Sequence, residues 1–202
     1  IRAMERYSLA PEVDMYIIDL ALSEISQQLS RIDLVEFVSI NISGQSLGRV
    51  DFMENVEAAV RSSRIPPTKL CFEVTETAAV SNIEGAARFM QRLRGLGCKI
   101  ALDDFGSGLS SFHYLKNLPC DLLKIDGAFV RDIVVNESDR SLVSAIHGIA
   151  QLLGIATVAE FVENQDINAI VRDIGVDYRQ GHHFGPKGSL EEVLKAIRPV
   201  AM

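Results

Sequence analysis

The stretch "KIALDDFGSGLSS" (residues 99–111) starts as an apolar strand, sets two acids side by side and continues into a glycine-rich turn. Its aliphatic residues alternate with Ala101 and Asp103, so one face of the strand is aliphatic and the other ends in a carboxylate. Asp103 and Asp104 repel each other and resist burial unless a lysine, an arginine or a metal ion neutralises them. We therefore expect a cation at the carboxyl end of this strand.

Other strand-like stretches have the same phase, with one aliphatic face and one polar residue near the carboxyl end. Helical stretches alternate with them, which predicts an α/β fold with a parallel sheet. A doubly wound sheet spreads its strand ends along an edge, whereas a (β/α) barrel brings them to one opening. Because the polar residues all lie near the carboxyl ends of their strands and on the non-aliphatic face, they favour the barrel, where they would meet at one opening. The stretches are "EFVSINIS" (36–43), "KLCFEVTE" (69–76), "DLLKID" (121–126) and "TVAEFVE" (157–163), and the polar ends are Asn41, Glu73, Asp103, Lys124 and Glu160.

Two helix starts carry a serine followed three residues later by glutamate, the capping-box pattern. They are "SNIE" (81–84) and "SLEE" (189–192), so we expect Ser81 and Ser189 to be the capping residues. "YRQGHHFG" (178–185) is expected to form the last short strand and a loop. Its two histidines look like a metal pair, but adjacent residues on a strand point in opposite directions, which disfavours that interpretation.

The composition is that of one large domain spanning residues 1–202, with 48% apolar residues. Acids number 27 against 20 basic residues, for a net charge of −7, so we predict no DNA or RNA polymer as a partner. The three cysteines are expected to be buried, reduced thiols of a cytoplasmic domain. No apolar run approaches the length of a membrane span, although the parent protein could be membrane-bound.

The polar strand ends, together with Asp104, offer only oxygen ligands apart from Lys124. Oxygen ligands select hard cations such as Mg²⁺ or Mn²⁺, and the four carboxylates would suit two of them. Two such ions can clamp the attacking and leaving oxygens of a phosphoryl group, while Lys124 holds the water or offsets charge. Taken singly, an acid at a strand end is more often a helix cap or a surface residue. Lys124 could also form a plain salt bridge with Asp126, and Glu76 and Glu163 could simply bind loop amides.

Several motifs, in order along nearly the whole chain, resemble the EAL-domain family of cyclic-di-GMP phosphodiesterases. The resemblance implies a modified (β/α)8 TIM-like barrel and metal-dependent hydrolysis of one phosphodiester bond of cyclic di-GMP, giving linear pGpG by a two-metal mechanism. The motifs are "SINIS" (39–43), "FEVTE" (72–76), "IALDDFGSGLSS" (100–111), "LPCDLLKIDGAFV" (118–130), "VAEFVE" (158–163) and "QG" (180–181).

The resemblance also assigns roles to individual residues. Two Mg²⁺ or Mn²⁺ ions are expected, with Ca²⁺ as an inhibitor. Glu160 would serve the second metal or act as general base, and Lys124 would contact the nucleophilic water. Gln180 and Glu163 would bind substrate, and Glu76 would anchor the loop after Asp104. The metal ligands implied are Asn41, Glu73, Asp103, Asp104 and Glu160.

Two departures from the family pattern stand out. The Glu-Ala-Leu tripeptide and the first strands are absent from this sequence, so we expect an N-terminally truncated domain from the C-terminal part of a longer multidomain protein. An upstream diguanylate-cyclase-like or sensory domain is possible in that protein. Phe161 stands where the family usually has glycine. Family members usually dimerise through the segment after Asp104, here residues 105–119, with Phe112, Tyr114 and Leu115 as apolar contacts.

Two other functions stay open at this point. A catalytically inactive cyclic-di-GMP receptor would bind the dinucleotide without cleaving it, but such receptors typically lose carboxylates that this chain retains. A barrel phosphodiesterase for glycerophosphodiesters would usually bring histidines to the strand ends, which this chain does not.

Overall fold

The computed structural model describes residues 9–106 and 112–197, in which helices and strands alternate. The strands are β1 (Val38–Ile42), β2 (Leu70–Thr75), β3 (Lys99–Phe105), β4 (Leu122–Ile125), β5 (Ala156–Ala159) and β6 (Tyr178–Arg179). The α-helices are α1 (Ala10–Gln27), α2 (Val50–Ser62), α3 (Glu76–Ser81), α4 (Ile83–Leu96), α5 (Phe112–Leu115), α6 (Gly127–Val130), α7 (Glu137–Leu152), α8 (Gln165–Ile174) and α9 (Leu190–Ala196). Short 3-10 helices cover Leu29–Leu34, Pro67–Lys69 and His182–Phe184.

The chain divides into two compact units. The first contains Ile1–Val74, Ala78–Ile100 and Gly188–Met202, and the second contains Thr75–Thr77 and Ala101–Lys187.

In the first unit, β1 and β2 are parallel. The predicted phase of β1 is confirmed, because Ile40 and Ile42 are buried whereas Ser39 and Asn41 are exposed. The residues of α1 that face the core recur at helical spacing, as the sequence predicts. They include Ile18, Leu22 and Ile25.

The predicted cap at Ser81 is wrong. Ser81 ends α3, where its hydroxyl donates to the carbonyl of Ala78. Asn82 caps α4 instead, with its side-chain oxygen accepting a hydrogen bond from the Gly85 amide at 3.1 Å. An asparagine serves as well as a serine at this position, and the short α3 takes Ser81 into its own last turn. The second predicted capping box, at Ser189 and Glu192, is confirmed at the start of α9.

In the second unit, β3, β4, β5 and β6 pair in parallel and in that order. β4 is buried along its whole length, and α7 packs with Val143, Ile146 and Ala150 buried. The strands are shorter than the sequence suggests. β5 ends at Ala159, immediately before Glu160, and β6 is confined to Tyr178 and Arg179.

The three cysteines, Cys71, Cys98 and Cys120, are buried and form no disulfide, as predicted. Within the described ranges, every helix is too short or too polar to traverse a lipid bilayer.

Candidate metal centre

The carboxyl end of β3 contains an irregularity that changes the direction of its side chains. Leu102 pairs with Leu123, but the next registered pair is Phe105 with Ile125, so β3 holds one extra residue there. Asp104 lies in this bulge with a φ of 54°, in the left-handed region that aspartate tolerates better than most residues. The bulge interrupts the strict alternation of a strand, so the carboxylates of adjacent residues can lie near each other.

Asp103, Asp104 and Glu160 form one carboxylate cluster in the second unit. Each contributes an oxygen, and these oxygens all lie within 4.8 Å of one another. The cluster joins the ends of two strands that β4 separates, since Asp103 is on β3 and Glu160 follows β5. The sequence predicts this meeting of Asp103, Asp104 and Glu160.

Lys124 of β4 lies between two of these carboxylates. Its Nζ is 2.9 Å from Oδ1 of Asp103 and 2.8 Å from Oε1 of Glu160, and the residue is only 5% exposed. A lysine is rarely buried to this degree unless it is paired with acids. The alternative in which Lys124 merely pairs with Asp126 is not what the structure shows, because the Asp126 carboxylate caps α6 by accepting from the Ala128 amide.

Burial raises the pKa of Glu160 above its ordinary value. The ammonium of Lys124 opposes this shift, whereas the carboxylates of Asp103 and Asp104 reinforce it. Since the three carboxylates and one ammonium leave two negative charges when all are ionised, Lys124 alone does not neutralise the cluster. A divalent cation would, and the donor set consists of the carboxylate oxygens that Mg²⁺ and Mn²⁺ prefer. The residues present therefore fit a metal ion.

In the first unit, Asn41 and Glu73 lie directly opposite each other on the paired strands β1 and β2. Their side chains share one face, at the carboxyl ends, as the sequence predicts, so both can offer oxygen to one ligand. The prediction that they bind the same pair of ions as the carboxylate cluster stays a prediction.

A buried carboxylate that sequence reasoning missed holds the chain just after Asn41. Oδ2 of Asp14 accepts hydrogen bonds from the amide of Ser43 at 2.9 Å, from its hydroxyl at 2.6 Å and from the hydroxyl of Ser46 at 2.5 Å. Asp14 belongs to α1, at a position on the apolar face of the helix. An acid among the core positions of an amphipathic helix was the available signal.

Glu76 is buried and accepts hydrogen bonds from two sides. Oε2 accepts from the amide of Gly106 at 2.9 Å, and Oε1 accepts from the hydroxyl of Tyr114. Burial, together with this carboxylate, raises the pKa of Tyr114. Glu76 thus binds the residues on either side of 107–111, which lie outside the described residues. Its predicted role in linking this segment to activity stays a prediction.

The predicted apolar dimer contacts need correction in detail. Tyr114 and Leu115 are 6% and 1% exposed in the single chain, so they are already used in its own core. Nothing in the sequence indicates that Tyr114 is buried within its own chain, where its hydroxyl donates a hydrogen bond to Glu76. Nothing is described of the side chain of Phe112.

Gln180 and Glu163 are exposed, on either side of a tight backbone contact. The amide of Gln180 donates to the carbonyl of Ala159, and the amide of Val162 donates to the carbonyl of Gln180, so this segment brackets Glu160. Gly181 makes the approach possible, since a Cβ there would lie 2.2 Å from the carbonyl oxygen of Val162. The substrate contacts assigned to Gln180 and Glu163 stay predictions.

The chain matches the family model for the EAL domain over residues 1–187. It is 42% identical over 185 residues to the cyclic di-GMP phosphodiesterase PdeB of Shewanella oneidensis, a match that covers 92% of this chain and 22% of PdeB. It is 37% identical over 194 residues to the cyclic di-GMP phosphodiesterase PdeF of Escherichia coli, covering 96% of this chain and 26% of PdeF. The chain thus spans about a quarter of the length of these curated relatives.

Among solved structures, the PaMucR phosphodiesterase in its c-di-GMP complex is similar with a TM-score of 0.88 and 27% identity. The match covers 95% of this chain and 78% of that one. This likeness confirms the predicted fold class, the α/β TIM-like barrel of EAL domains. The chain therefore belongs to the EAL domain family.

Proposed function

We propose that this domain hydrolyses one 3′–5′ phosphodiester bond of cyclic di-GMP and releases linear pGpG. The observation that carries the proposal is the cluster of Asp103, Asp104 and Glu160 with its buried partner Lys124. The names of PdeB and PdeF as cyclic di-GMP phosphodiesterases, and the PaMucR complex with c-di-GMP, support the same substrate.

The proposal includes two divalent cations, Mg²⁺ or Mn²⁺. When bound, such ions polarise the phosphoryl group and lower the pKa of an attacking water. Asp103, Asp104 and Glu160 would hold a cation through their clustered oxygens. Asn41 and Glu73, which share one face of the paired strands β1 and β2, would offer an amide and a carboxylate oxygen to a cation. Ca²⁺ would inhibit, because it is larger and accepts looser geometry than the octahedral Mg²⁺.

The other groups of the site would handle the water and the substrate. Lys124 would donate a hydrogen bond to the attacking water. Glu160 would take up the proton of that water or serve the second cation, and burial, which raises its pKa, makes it a stronger base than an exposed glutamate. The water oxygen forms the new bond to phosphorus, and the bond from phosphorus to the ribose 3′ oxygen breaks. The 3′ oxygen keeps the electron pair and takes a proton from solvent, while Gln180 and Glu163 bind the nucleoside ends.

Three further parts of the proposal concern the setting of the domain. It would form a homodimer through the segment after Asp104, whose two flanks Glu76 contacts. It would act in the cytoplasm, where its three free cysteines stay reduced. Its net charge of −7 favours a small nucleotide bound at a local site over a DNA or RNA polymer.

The test is turnover of cyclic di-GMP by the purified full-length protein with Mg²⁺, followed by chromatography of the products. We expect pGpG, and a loss of more than about 100-fold in the Asp103→Asn variant, which keeps the shape of the side chain but removes its charge. Asp166→Asn, a change at an exposed acid in the first turn of α8, is the matched control and should leave turnover unchanged.

Two results would contradict the proposal. Full activity of Asp103→Asn would show that the cluster is not the reacting centre. Tight binding of cyclic di-GMP without any pGpG, in the wild-type protein and with Mg²⁺ present, would show the receptor function in place of the enzyme.

A further inference from the structure

Phe161, the residue that follows Glu160, has a backbone conformation that a bulky residue rarely adopts. Its φ is 53°, in the left-handed region where a Cβ is sterically unfavourable. The residue is nevertheless 41% exposed, so complete burial of the ring does not account for this conformation. Strain that persists beside a proposed reacting group points to a function for the side chain that it places there.

Two neighbours hold the ring of Phe161 in position. The guanidinium carbon of Arg131 lies 4.0 Å from the ring centroid, so a cation covers one face of the ring. Gly127 lies against the ring, where a Cβ would be only 2.0 Å from Cδ2 of Phe161. The ring therefore occupies the space that a side chain at position 127 would need. Gly127 and Arg131 lie at the two ends of α6, which follows the strand that carries Lys124.

Phe161 directly follows Glu160 in the chain, so the backbone that carries one acid of the cluster also carries an aromatic ring that is fixed and partly open to solvent. A partly exposed ring on the residue after a group that would handle a phosphodiester is suited to a planar, apolar part of the same ligand. In a dinucleotide that part is the base, because every base has a π-face that stacks on an aromatic side chain. Arg131 also adds a positive charge near the ring, which favours an anionic ligand despite the carboxylates close by.

We propose that Phe161 is a substrate-binding residue on which a purine base of the dinucleotide stacks, with Arg131 and Gly127 holding its ring. This inference rests on the proposed function, since it takes the dinucleotide as the ligand of the carboxylate cluster. The competing explanation is purely structural: the ring fills the space above Gly127 and touches no ligand.

The test separates binding from turnover. Cyclic di-GMP is titrated into the full-length protein with Ca²⁺ in place of Mg²⁺, because the proposed inhibitor supplies a cation to the cluster and prevents hydrolysis. Phe161→Leu keeps an apolar side chain with a Cβ but removes the π-face, and we expect it to raise the Kd about 5- to 100-fold. Phe161→Tyr should bind within about twofold of the wild type. Phe184→Leu, a change at another exposed phenylalanine (54%), is the matched control and should not alter the Kd.

A second variant displaces the ring without removing it. In Gly127→Ala the new methyl group must push the ring of Phe161 aside, so we expect weaker binding although Phe161 is intact. A cyclic dinucleotide that carries 2-aminopurine reports stacking directly. Its fluorescence should be quenched on binding to the wild type and to Phe184→Leu, and the quenching should be lost in Phe161→Leu.

The outcomes distinguish the two proposals. If Phe161→Leu binds as tightly as the wild type, or lowers thermal stability without changing the Kd and the quenching, base stacking is overturned and the ring is structural. If the wild type binds and stacks the base but yields no pGpG with Mg²⁺, hydrolysis fails and the stacking inference stands. If the wild type does not bind the dinucleotide at all, both proposals fall.

Discussion

Lys124→Met tests whether the buried ammonium is what holds the carboxylate cluster together. The change keeps the length of the side chain and removes its charge, which lies 2.9 Å from Asp103 and 2.8 Å from Glu160. Each pair has a gross attraction of roughly 6 kcal/mol at an effective dielectric constant of about 20, most of which offsets the cost of desolvation. Removing one partner of a buried ion pair leaves the other charge uncompensated, so we expect the free energy of unfolding to fall by about 3–5 kcal/mol.

The assay is urea unfolding of the full-length protein in EDTA, at neutral pH, with Lys99→Met as the matched control. Lys99 is half-buried and lies 3.4 Å from Glu36, so losing its charge should cost less than about 1 kcal/mol. Mg²⁺ should restore much of the stability of Lys124→Met, because a divalent cation can replace the missing charge. If Lys124→Met costs no more than Lys99→Met, the ammonium does not hold the cluster, and the electrostatic reasoning is wrong.

The loss of stability in Lys124→Met should also depend on pH, and the direction of that dependence follows from the pKa of Glu160. Burial raises the pKa of Glu160, so the folded state binds its proton more tightly than the unfolded state does. Stability from this group is therefore fully present at acidic pH and is lost as the pH rises through the raised pKa. The ammonium of Lys124 lowers the pKa of Glu160, so the Lys124→Met variant has a still higher pKa at Glu160 and a larger loss of stability as the pH rises. We expect the stability gap between wild type and Lys124→Met to shrink between about pH 8 and about pH 5, and a gap that grows on acidification would contradict this.

Three further predictions concern other positions. Gly181→Ala should lower the free energy of unfolding, measured by thermal unfolding, by about 1–3 kcal/mol, because the new Cβ would meet the backbone of Val162. The control Gly148→Ala, where a Cβ would have nothing within 4 Å, should be neutral or stabilising, and equal effects of the two changes would contradict the close approach at Gly181. Burial raises the pKa of Cys98 to about 11, so at mildly alkaline pH iodoacetamide should alkylate this thiol much more slowly in the native protein than in urea, and equal rates would refute its burial. As the pH rises from the ordinary thiol pKa of 9.0 toward that raised pKa, folded stability should fall. Glu76→Gln replaces one of the two accepting oxygens with a donor, so it should lower the free energy of unfolding by about 1–3 kcal/mol and lower turnover. An unchanged midpoint of urea unfolding would show that these hydrogen bonds contribute little.

Strand phase was the part of the fold and site that the sequence could predict. A period of two residues fixes which side chains share a face, so the alignment of Asn41 with Glu73 follows once the strands are parallel neighbours. The presence of a cation beside Asp103 also follows from elementary electrostatics, and Lys124 supplies it. These inferences need only local periodicity and the cost of burying charge.

The details that depend on backbone irregularity could not be predicted in this way. The bulge that brings the carboxylates of Asp103 and Asp104 together depends on the left-handed backbone of Asp104. The amino-acid sequence of β3 does not distinguish this bulge from a regular strand. The cap at Asn82 depends on where the preceding helix ends. The anchoring by Asp14 spans 29 residues to Ser43, a distance over which sequence periodicity carries no information.

The most direct measurement is the position of a bound cation in a crystal of the full-length protein soaked with Mn²⁺, located by its anomalous scattering. We expect a peak about 2 Å from carboxylate oxygens of Asp103, Asp104 and Glu160, the distance typical of small octahedral cations. The contradicting result is a protein that turns over cyclic di-GMP with Mn²⁺ in solution but whose soaked crystal has Mn²⁺ only at another site, with Lys124 alone bound to these carboxylates.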